Sequence, residues 1–124
     1  MQYSTTVIAL ISRPKLGFLR HLGVLLPDGC VAHCTPERGE HLSTVEEFAA
    51  GQDVRIERVI PIEQCMSALQ RIAQAMVMPN AYNLFTNNCE TFANRSIGER
   101  AVSSQLTGFC ALTALALILA TRDH

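Results

Sequence analysis

The chain has 124 residues, of which 48% are hydrophobic and 17% are charged, and its formal net charge is −1. A chain of this length buries one hydrophobic core, so we expect a single domain. The near-zero charge and the lack of a Lys/Arg cluster or basic aromatic stripe argue against a nucleic-acid partner.

The N-terminus and the cysteines indicate the compartment. Residues 1–6 contain no basic residue, and the apolar run Val7–Ile11 is too short for a signal peptide. The chain has five cysteines, an odd number without the spacing of a small disulfide scaffold, which indicates reduced thiols. We therefore expect a cytoplasmic protein, with membrane association and export by a signal-less route as open alternatives.

The C-terminal segment Leu106–Ala120 contains only apolar residues, Gly108 and two threonines. A helix of about 15 residues spans roughly 22 Å, which is less than the ~30 Å hydrocarbon core of a bilayer. We expect a hydrophobic helix within residues 105–124, packed against protein (including a homodimer partner) or in contact with a membrane. Residues 1–104 are expected to form the main domain.

The first half of the chain predicts strands. Thr5–Ile11 is β-branched and apolar and ends at Ser12-Arg13-Pro14. Phe18–Leu26 and Cys30–Cys34 predict two further strands, joined by Pro27-Asp28-Gly29. Pro, Asp and Gly in this order are typical of a three-residue hairpin loop with a bulge.

This loop length determines which strand residues face each other. Leu25 then pairs with Val31 and Gly23 with His33, so that His21 and His33 lie on the same face of the hairpin. We expect open space beside the His33 imidazole, because its partner is a glycine. The opposite face would carry an apolar core surface formed by Leu22, Val24, Leu26, Cys30, Ala32 and Cys34.

The second half alternates helices with a strand. Thr35–Leu42 predicts a polar loop, and Ser43-Thr44-Val45-Glu46 predicts a capping box for a short helix that ends at Gly51. Apolar residues from Val54 to Ile60 predict another strand. Pro61 then opens a helix that Met78-Pro79-Asn80 stops. These elements predict an α+β domain with an antiparallel sheet.

Cys89 is the candidate nucleophile. Tyr82–Asn88 predicts a loop and Cys89–Ile97 a helix closed by Gly98, with Asn88 as a good N-cap. Backbone N–H groups at a helix start stabilise a thiolate and can hold an oxyanion. His21 would accept the thiol proton and His33 would orient it, as in other catalytic triads.

Less specific interpretations of the same residues stay open. A lone cysteine in a half-apolar helix is usually a core residue, and a strand histidine is usually structural. A zinc site formed by Cys30, His33, Cys34 and Cys89 lacks the spacing of known zinc motifs. We therefore predict no metal and no cofactor.

Two segments resemble the motifs of the lecithin retinol acyltransferase family. HLGVLLPDGCVAH, which begins at His21, resembles the first motif, with two histidines twelve residues apart. AYNLFTNNCETFANRSIG resembles the second. The residues Tyr82, Asn88, Cys89, Glu90 and Phe92 match it, and the resemblance covers residues from about 18 to 104.

The resemblance implies a circularly permuted papain-like fold with Cys89 as nucleophile, His21 as base and His33 as third member. It also implies that Tyr82 lies near the oxyanion site, and we assign Asn88 and Gly23 to the same oxyanion and substrate-binding region. Family members cleave an acyl ester of a glycerophospholipid and transfer the acyl group to water, an amine or an alcohol. The expected function is therefore a phospholipase A or acyltransferase that forms an acyl-thioester on Cys89.

Two positions depart from the animal members of the family, and two other functions stay open. Thr91 stands where those members have His, and Leu22 stands where they have an aromatic residue. The alternatives are a cysteine amidase or peptidase that acts on peptidoglycan or peptide bonds, and a non-catalytic binding or membrane-remodelling module. A non-enzymatic module would have Cys89 buried or out of reach of both imidazoles.

Overall fold

The computed structural model describes residues 7–98, and the structural statements below concern this part of the chain. It has an antiparallel sheet packed with helices, which confirms the predicted α+β class. The predicted C-terminal helix within residues 105–124 and the first residues of the predicted Thr5–Ile11 strand lie outside the described residues. None of the helices between residues 7 and 98 is long and apolar enough to cross a membrane.

Five strands form one sheet in the order β4-β3-β2-β1-β5, and neighbouring strands are antiparallel. Three helices accompany the sheet, and α3 begins at the candidate nucleophile. The elements are β1 (Ala9–Leu16), β2 (Leu19–Leu25), β3 (Val31–Thr35), β4 (Gly39–Ser43), α1 (Val45–Ala49), β5 (Arg55–Val59), α2 (Ile62–Val77) and α3 (Cys89–Ser96).

Each face of the sheet has its own apolar cluster. On one face, α2 and α3 pack against alternate residues of the central strands, as period-two side chains require. On the other face, Phe48 of α1 packs against Ala9, Ile11 and Val31. The cluster on the face that α2 and α3 cover is the larger one. It contains Ile8, Val24, Leu26, Ala32, Cys34, Ile60, Cys65, Ala68, Ile72, Phe92, Ala93 and Ile97.

The β2–β3 hairpin has the predicted register. Leu25 pairs with Val31, and the Leu26 N–H donates to the Cys30 carbonyl at 2.8 Å. Gly29 has a φ of 89°, a left-handed conformation in which a Cβ would be strained. The Asp28 carboxylate accepts from the Cys30 N–H at 3.0 Å and closes the loop. The loop chemistry therefore sets the pairing of the two central strands.

Two predicted boundaries in the N-terminal half are wrong. β1 continues through Pro14 to Leu16, although proline was expected to end it. The β1–β5 ladder stops at Ser12, so Pro14 lies where β1 is a sheet edge on that side and needs no ladder N–H there. The helix start is also shifted by one residue, because Thr44 is the N-cap of α1 and its hydroxyl accepts from the Glu47 N–H.

The predicted polar loop Thr35–Leu42 is wrong for most of its length, because β4 runs from Gly39 to Ser43. The polar residues of this segment make the strand resemble a loop in sequence. Glu40 is buried, but its carboxylate is satisfied by Arg95 and by the Asn80 N–H. A polar side chain with such partners can lie in a protein interior, so polarity alone does not identify a loop.

The helices and the last strand agree closely with the prediction. α2 begins directly after Pro61 and ends at Val77 with Met78 as its C-cap, and α3 begins at Cys89 after the Asn88 cap. Gly98 follows α3 with a φ of 87°, as a helix-ending glycine does. β5 is an exposed edge strand that pairs with β1 alone in the described sheet.

The space opposite His33 is filled, so the expectation of open space at Gly23 is wrong. A Cβ added to Gly23 would lie 2.7 Å from Phe48 Cε2 and 2.8 Å from Val31 Cγ1. The glycine therefore serves close packing: it lets the Phe48 ring approach the backbone of β2. The predicted role of Gly23 in substrate binding stays a prediction.

Substitution of Gly23 by alanine should destabilise the protein by about 1–3 kcal/mol, because the new methyl group overpacks the Phe48 contact. Urea unfolding followed by circular dichroism measures the change. The matched control is Phe48→Leu, alone and combined with Gly23→Ala. The double variant should cost less than the sum of the single variants, since the smaller side chain relieves the overlap. Additive costs would contradict this contact.

Candidate functional site

His21 and His33 form a buried hydrogen-bonded pair. Their side chains lie on one face of the sheet, as the hairpin register predicts, and His21 Nε2 lies 2.9 Å from His33 Nδ1. The two residues are 4% and 5% exposed. His33 Nε2 lies 2.9 Å from Ser43 Oγ on the neighbouring strand β4. The three side chains form a continuous chain of hydrogen bonds across β2, β3 and β4.

The direction of these hydrogen bonds follows from their last member. The Ser43 hydroxyl donates to the Thr44 carbonyl at 3.0 Å, so its oxygen is left to accept a proton from His33 Nε2. His33 Nδ1 is then an acceptor, and His21 Nε2 is the donor to it. In a neutral imidazole this leaves His21 Nδ1 with its lone pair, which is the form that a general base needs.

Both imidazoles are neutral at pH 7. The pKa of His21 is lowered to about 3, mainly by burial and in smaller part by electrostatic interactions with His33, Arg13 and Lys15. Burial likewise lowers the pKa of His33 to about 3, with added contributions from His41 and Arg13. At rest the chemistry of this pair is therefore that of neutral imidazole, without a standing imidazolium charge.

The aromatic side chains of Phe48 and His41 enclose the histidine pair. The sequence analysis did not predict these contacts. The Phe48 ring is stacked on His21 with centroids 5.2 Å apart, and it meets the edge of His33 at 5.2 Å. His41 lies against the other side of His33, with centroids 4.2 Å apart. The His41 Nδ1–H donates to the Gly39 carbonyl at 2.8 Å. Ring contacts therefore hold both imidazoles in one orientation.

Cys89 is the first residue of α3 and is 3% exposed. Asn88 is the N-cap, and its side-chain oxygen accepts from the N–H groups of Glu90 and Thr91 at 3.0 and 2.9 Å. Thr91 completes the capping box, because its hydroxyl oxygen accepts from the Asn88 N–H at 2.8 Å. Thr91 therefore stabilises the start of α3.

The cap determines which donors remain for an oxyanion. The Asn88 amide is held in the helix start, because its nitrogen donates to the Leu84 carbonyl at 2.8 Å while its oxygen accepts two backbone protons. Asn88 therefore acts on this site through the helix start, and its predicted direct contact with substrate stays a prediction. Among the described hydrogen bonds, none uses the Cys89 N–H, which leaves that donor for an oxyanion.

Tyr82 and Cys34 lie within electrostatic range of Cys89. Burial raises the pKa of the Tyr82 hydroxyl above its usual range, and electrostatic interactions with the Cys89 and Cys34 sulfurs add to the rise. Burial raises the pKa of Cys34 to about 12, with Glu40 and Cys89 as further causes. Cys34 is therefore a thiol in the core, and Tyr82 is a neutral hydroxyl that can donate near Cys89.

The helix α3 packs on the sheet face opposite the histidines. Cys34 follows His33 on β3, so their side chains point to opposite faces, and Phe92 and Ala93 of α3 cluster with Cys34. No hydrogen bond between residues 7 and 98 joins Cys89 to an imidazole. The roles of Cys89, His21 and His33 as a catalytic triad therefore stay a prediction.

The β2–β3 ladder is open at the histidine end. Its pairs are Val24 with Ala32 and Leu25 with Val31, and they end before the level of His21 and His33. The start of α3 lies beside this opening, because the Cys34 thiol donates to the Asn87 carbonyl at 3.4 Å.

A buried carboxylate positions the loop that leads into Cys89. Glu40 of β4 accepts from the Asn80 N–H at 3.0 Å and from Arg95 of α3 at 3.0 Å. Arg95 also donates to the Asn87 side chain at 2.8 Å, and Asn87 donates to the Ala81 carbonyl. The sequence analysis did not predict this network. Its only signal in the sequence was a charged residue in a segment of strand length.

The zinc alternative finds no support in this arrangement. His33 and Cys34 are consecutive residues of β3 and point to opposite faces, so they cannot bind one ion together. From residue 7 to residue 98, no group of three or more His, Cys, Asp and Glu side chains is arranged to hold a metal ion.

The fold and the site define a small α+β domain with a buried histidine pair on its sheet and a cysteine at a capped helix start. A model of the lecithin retinol acyltransferase family matches residues 6–101, and the chain belongs to this family. A comparison with curated protein sequences finds no match. Membership supports, at a coarse level, an enzyme of the acyltransferase and phospholipase type.

Substitution of Ser43 by alanine should leave the buried His33 Nε2–H without its acceptor, at a cost of about 1–3 kcal/mol of stability. The nitrogen NMR shifts of the wild-type imidazoles should show His21 protonated at Nε2 and unprotonated at Nδ1. Ser43→Ala should remove this preference, while Ser43→Thr, which keeps a hydroxyl, should preserve it. A wild-type spectrum with His21 protonated at Nδ1 would contradict the proposed direction of the hydrogen bonds.

The stability of the protein should fall as the pH drops below 6.5. The unfolded histidines take up protons near pH 6.5, whereas the folded pair stays neutral down to about pH 3. Because the unfolded state then binds more protons, each neutral histidine lowers stability by about 1.4 kcal/mol per pH unit within this window. Urea unfolding at several pH values measures the slope. A His21→Gln/His33→Gln variant should have a shallower slope, and an equal slope would refute the prediction.

Proposed function

We propose that this protein is a cysteine-dependent acyl hydrolase or acyltransferase that cleaves glycerophospholipid esters through a thioester on Cys89. Membership of the lecithin retinol acyltransferase family supports the reaction class. The observation that carries the proposal is the direction of the Ser43–His33–His21 hydrogen bonds, which leaves an unprotonated nitrogen on His21.

In the proposed reaction, His21 Nδ1 takes the Cys89 thiol proton as sulfur attacks the carbonyl carbon of the ester. The tetrahedral oxyanion receives hydrogen bonds from the Cys89 N–H and the Tyr82 hydroxyl. The carbon–oxygen bond to glycerol breaks, and the His21 Nδ1–H protonates the leaving oxygen. Water, or another hydroxyl or amine, then attacks the thioester and gives its proton to His21, which returns it to the thiol.

The low pKa of His21 favours proton transfer during the attack over a preformed ion pair. The His21 pKa is about 3, so its imidazole is neutral at pH 7 and no imidazolium is present at rest to form an ion pair. His21 would therefore act as a general base in the transition state, with His33 and Ser43 orienting it. In this proposal the thiol and the imidazole meet at the open end of the β2–β3 ladder, beside Asn87.

Apolar side chains beside the nucleophile support a lipid substrate over a peptide. The loop that ends at the Asn88 cap exposes Leu84 and Phe85. Exposed apolar side chains next to a reactive group offer contact surface for acyl chains. A site for the peptidoglycan alternative would instead present charged groups for peptide carboxylates.

A second candidate function is a non-catalytic binding module of the same family. The observation that favours it is the 3% exposure of Cys89, whose helix packs on the face opposite the imidazoles. In such a module the histidine pair would specify the sheet packing, and Cys89 would be a small buried residue. Reactivity of the Cys89 thiol separates the two functions.

Incubation with phosphatidylcholine or phosphatidylethanolamine vesicles should add one acyl chain to the protein, as intact mass spectrometry measures. Cys89→Ala should abolish the adduct and fatty acid release, whereas the matched control Cys30→Ala should keep both. His21→Gln should lower the rate of release by about 10²–10⁴-fold, the usual contribution of a general base. Absence of an adduct and of fatty acid release, together with no alkylation of Cys89 by iodoacetamide, would favour the non-catalytic module.

A further inference from the structure

The β1–β2 hairpin ends in two large apolar side chains that the protein core does not use. Leu16 is 75% exposed and Phe18 is 80% exposed, on either side of Gly17. Gly17 has a φ of 58° and makes the tight turn between the strands. Exposed apolar side chains at a projecting tip are unfavourable in water and are typical of a contact surface. We name residues Lys15–Phe18 the hairpin tip.

The charge around the hairpin tip has one sign. No Asp or Glu occurs from residue 7 to residue 27, whereas Arg13, Lys15 and Arg20 lie in this segment. Arg20 lies 3.6 Å from the Glu57 carboxylate and is partly neutralised. Arg13 donates to the carbonyls of Phe48 and Pro14, which leaves its charge without a carboxylate in the described contacts. The tip therefore combines apolar side chains with net positive charge.

The hairpin tip lies at the same end of the sheet as the candidate site. The end of β1, the start of β2 and the end of β3 meet there, because the three strands are antiparallel neighbours. The start of α3 lies at this end through the contact of Cys34 with Asn87. The loop before α3 exposes Leu84 and Phe85 at its turn. The hairpin tip and the start of α3 therefore lie at the same end of the sheet.

We propose that the hairpin tip inserts into the interface of an anionic lipid bilayer. Phe18 and Leu16 would enter the boundary between headgroups and acyl chains, where aromatic side chains are favoured. Lys15 would keep its ammonium at the level of the anionic headgroups while its methylene stem lies along the apolar region. This inference concerns binding alone and does not depend on the proposed reaction, so a Cys89→Ala protein should bind equally well.

The chain contains no tryptophan, so a single introduced tryptophan reports on its own surroundings. In the full-length Cys89→Ala protein, Phe18→Trp should show a blue-shifted emission with vesicles of phosphatidylcholine and phosphatidylserine. Brominated lipids should quench this emission. The matched control is Ile62→Trp at the start of α2, where the isoleucine is 71% exposed, and its emission should not shift. The control distinguishes insertion of the tip from binding by any other part of the chain.

A separate variant tests how much the positive charge contributes to lipid binding. Adding Lys15→Gln to Phe18→Trp should raise the lipid concentration at half-maximal shift by about fivefold, the usual effect of one basic residue near an anionic surface. Replacing Leu16 with serine in the same reporter should raise it by about tenfold through lost apolar burial. Vesicles of phosphatidylcholine alone should bind the reporter more weakly than the anionic mixture.

Three results would overturn the proposal. The first is an unchanged Phe18→Trp emission with anionic vesicles. The second is an equal response to neutral and anionic vesicles, which would remove the role of charge. The third is a blue shift that grows with protein concentration in the absence of vesicles, which would show that a second copy of the chain covers the hairpin tip.

Discussion

The 2.9 Å hydrogen bond between His21 and His33 is the interaction on which the candidate site depends. It exists because the Pro27-Asp28-Gly29 loop contains three residues, and a shift of one residue would move one imidazole to the other face. The same register supplies the apolar surface against which α2 and α3 pack. One turn therefore determines both the core and the geometry of the histidines.

Burial gives this pair its chemical character. Phe48 and His41 exclude water from the imidazoles, and the resulting desolvation holds the pKa values of both at about 3. The hydrogen bond to Ser43 then determines which nitrogen of each imidazole carries the proton. The protein stabilises a neutral, oriented base at the expense of its stability in acid, because a buried neutral histidine favours unfolding once the unfolded chain can be protonated.

The helix α3 is positioned by polar contacts as well as by its apolar face. The Asn88 cap can be predicted from the sequence pattern of a helix start, although that pattern does not single out Thr91 as the second member of the capping box. Glu40 and Arg95 could not be read in this way, because they are 55 residues apart and become partners only in the folded chain. A buried carboxylate in β4 also explains why that strand resembles a loop in sequence.

The sequence by itself determined the α+β class, the hairpin register, the grouping of His21 with His33 and the start of α3 at Cys89. These features follow from local rules, namely turn chemistry, period-two alternation and helix capping. Only the tertiary structure decided that Phe48 fills the space at Gly23, that Ser43 orients the pair and that α3 packs on the opposite face. Those outcomes depend on contacts between residues distant in the chain, which local patterns do not encode.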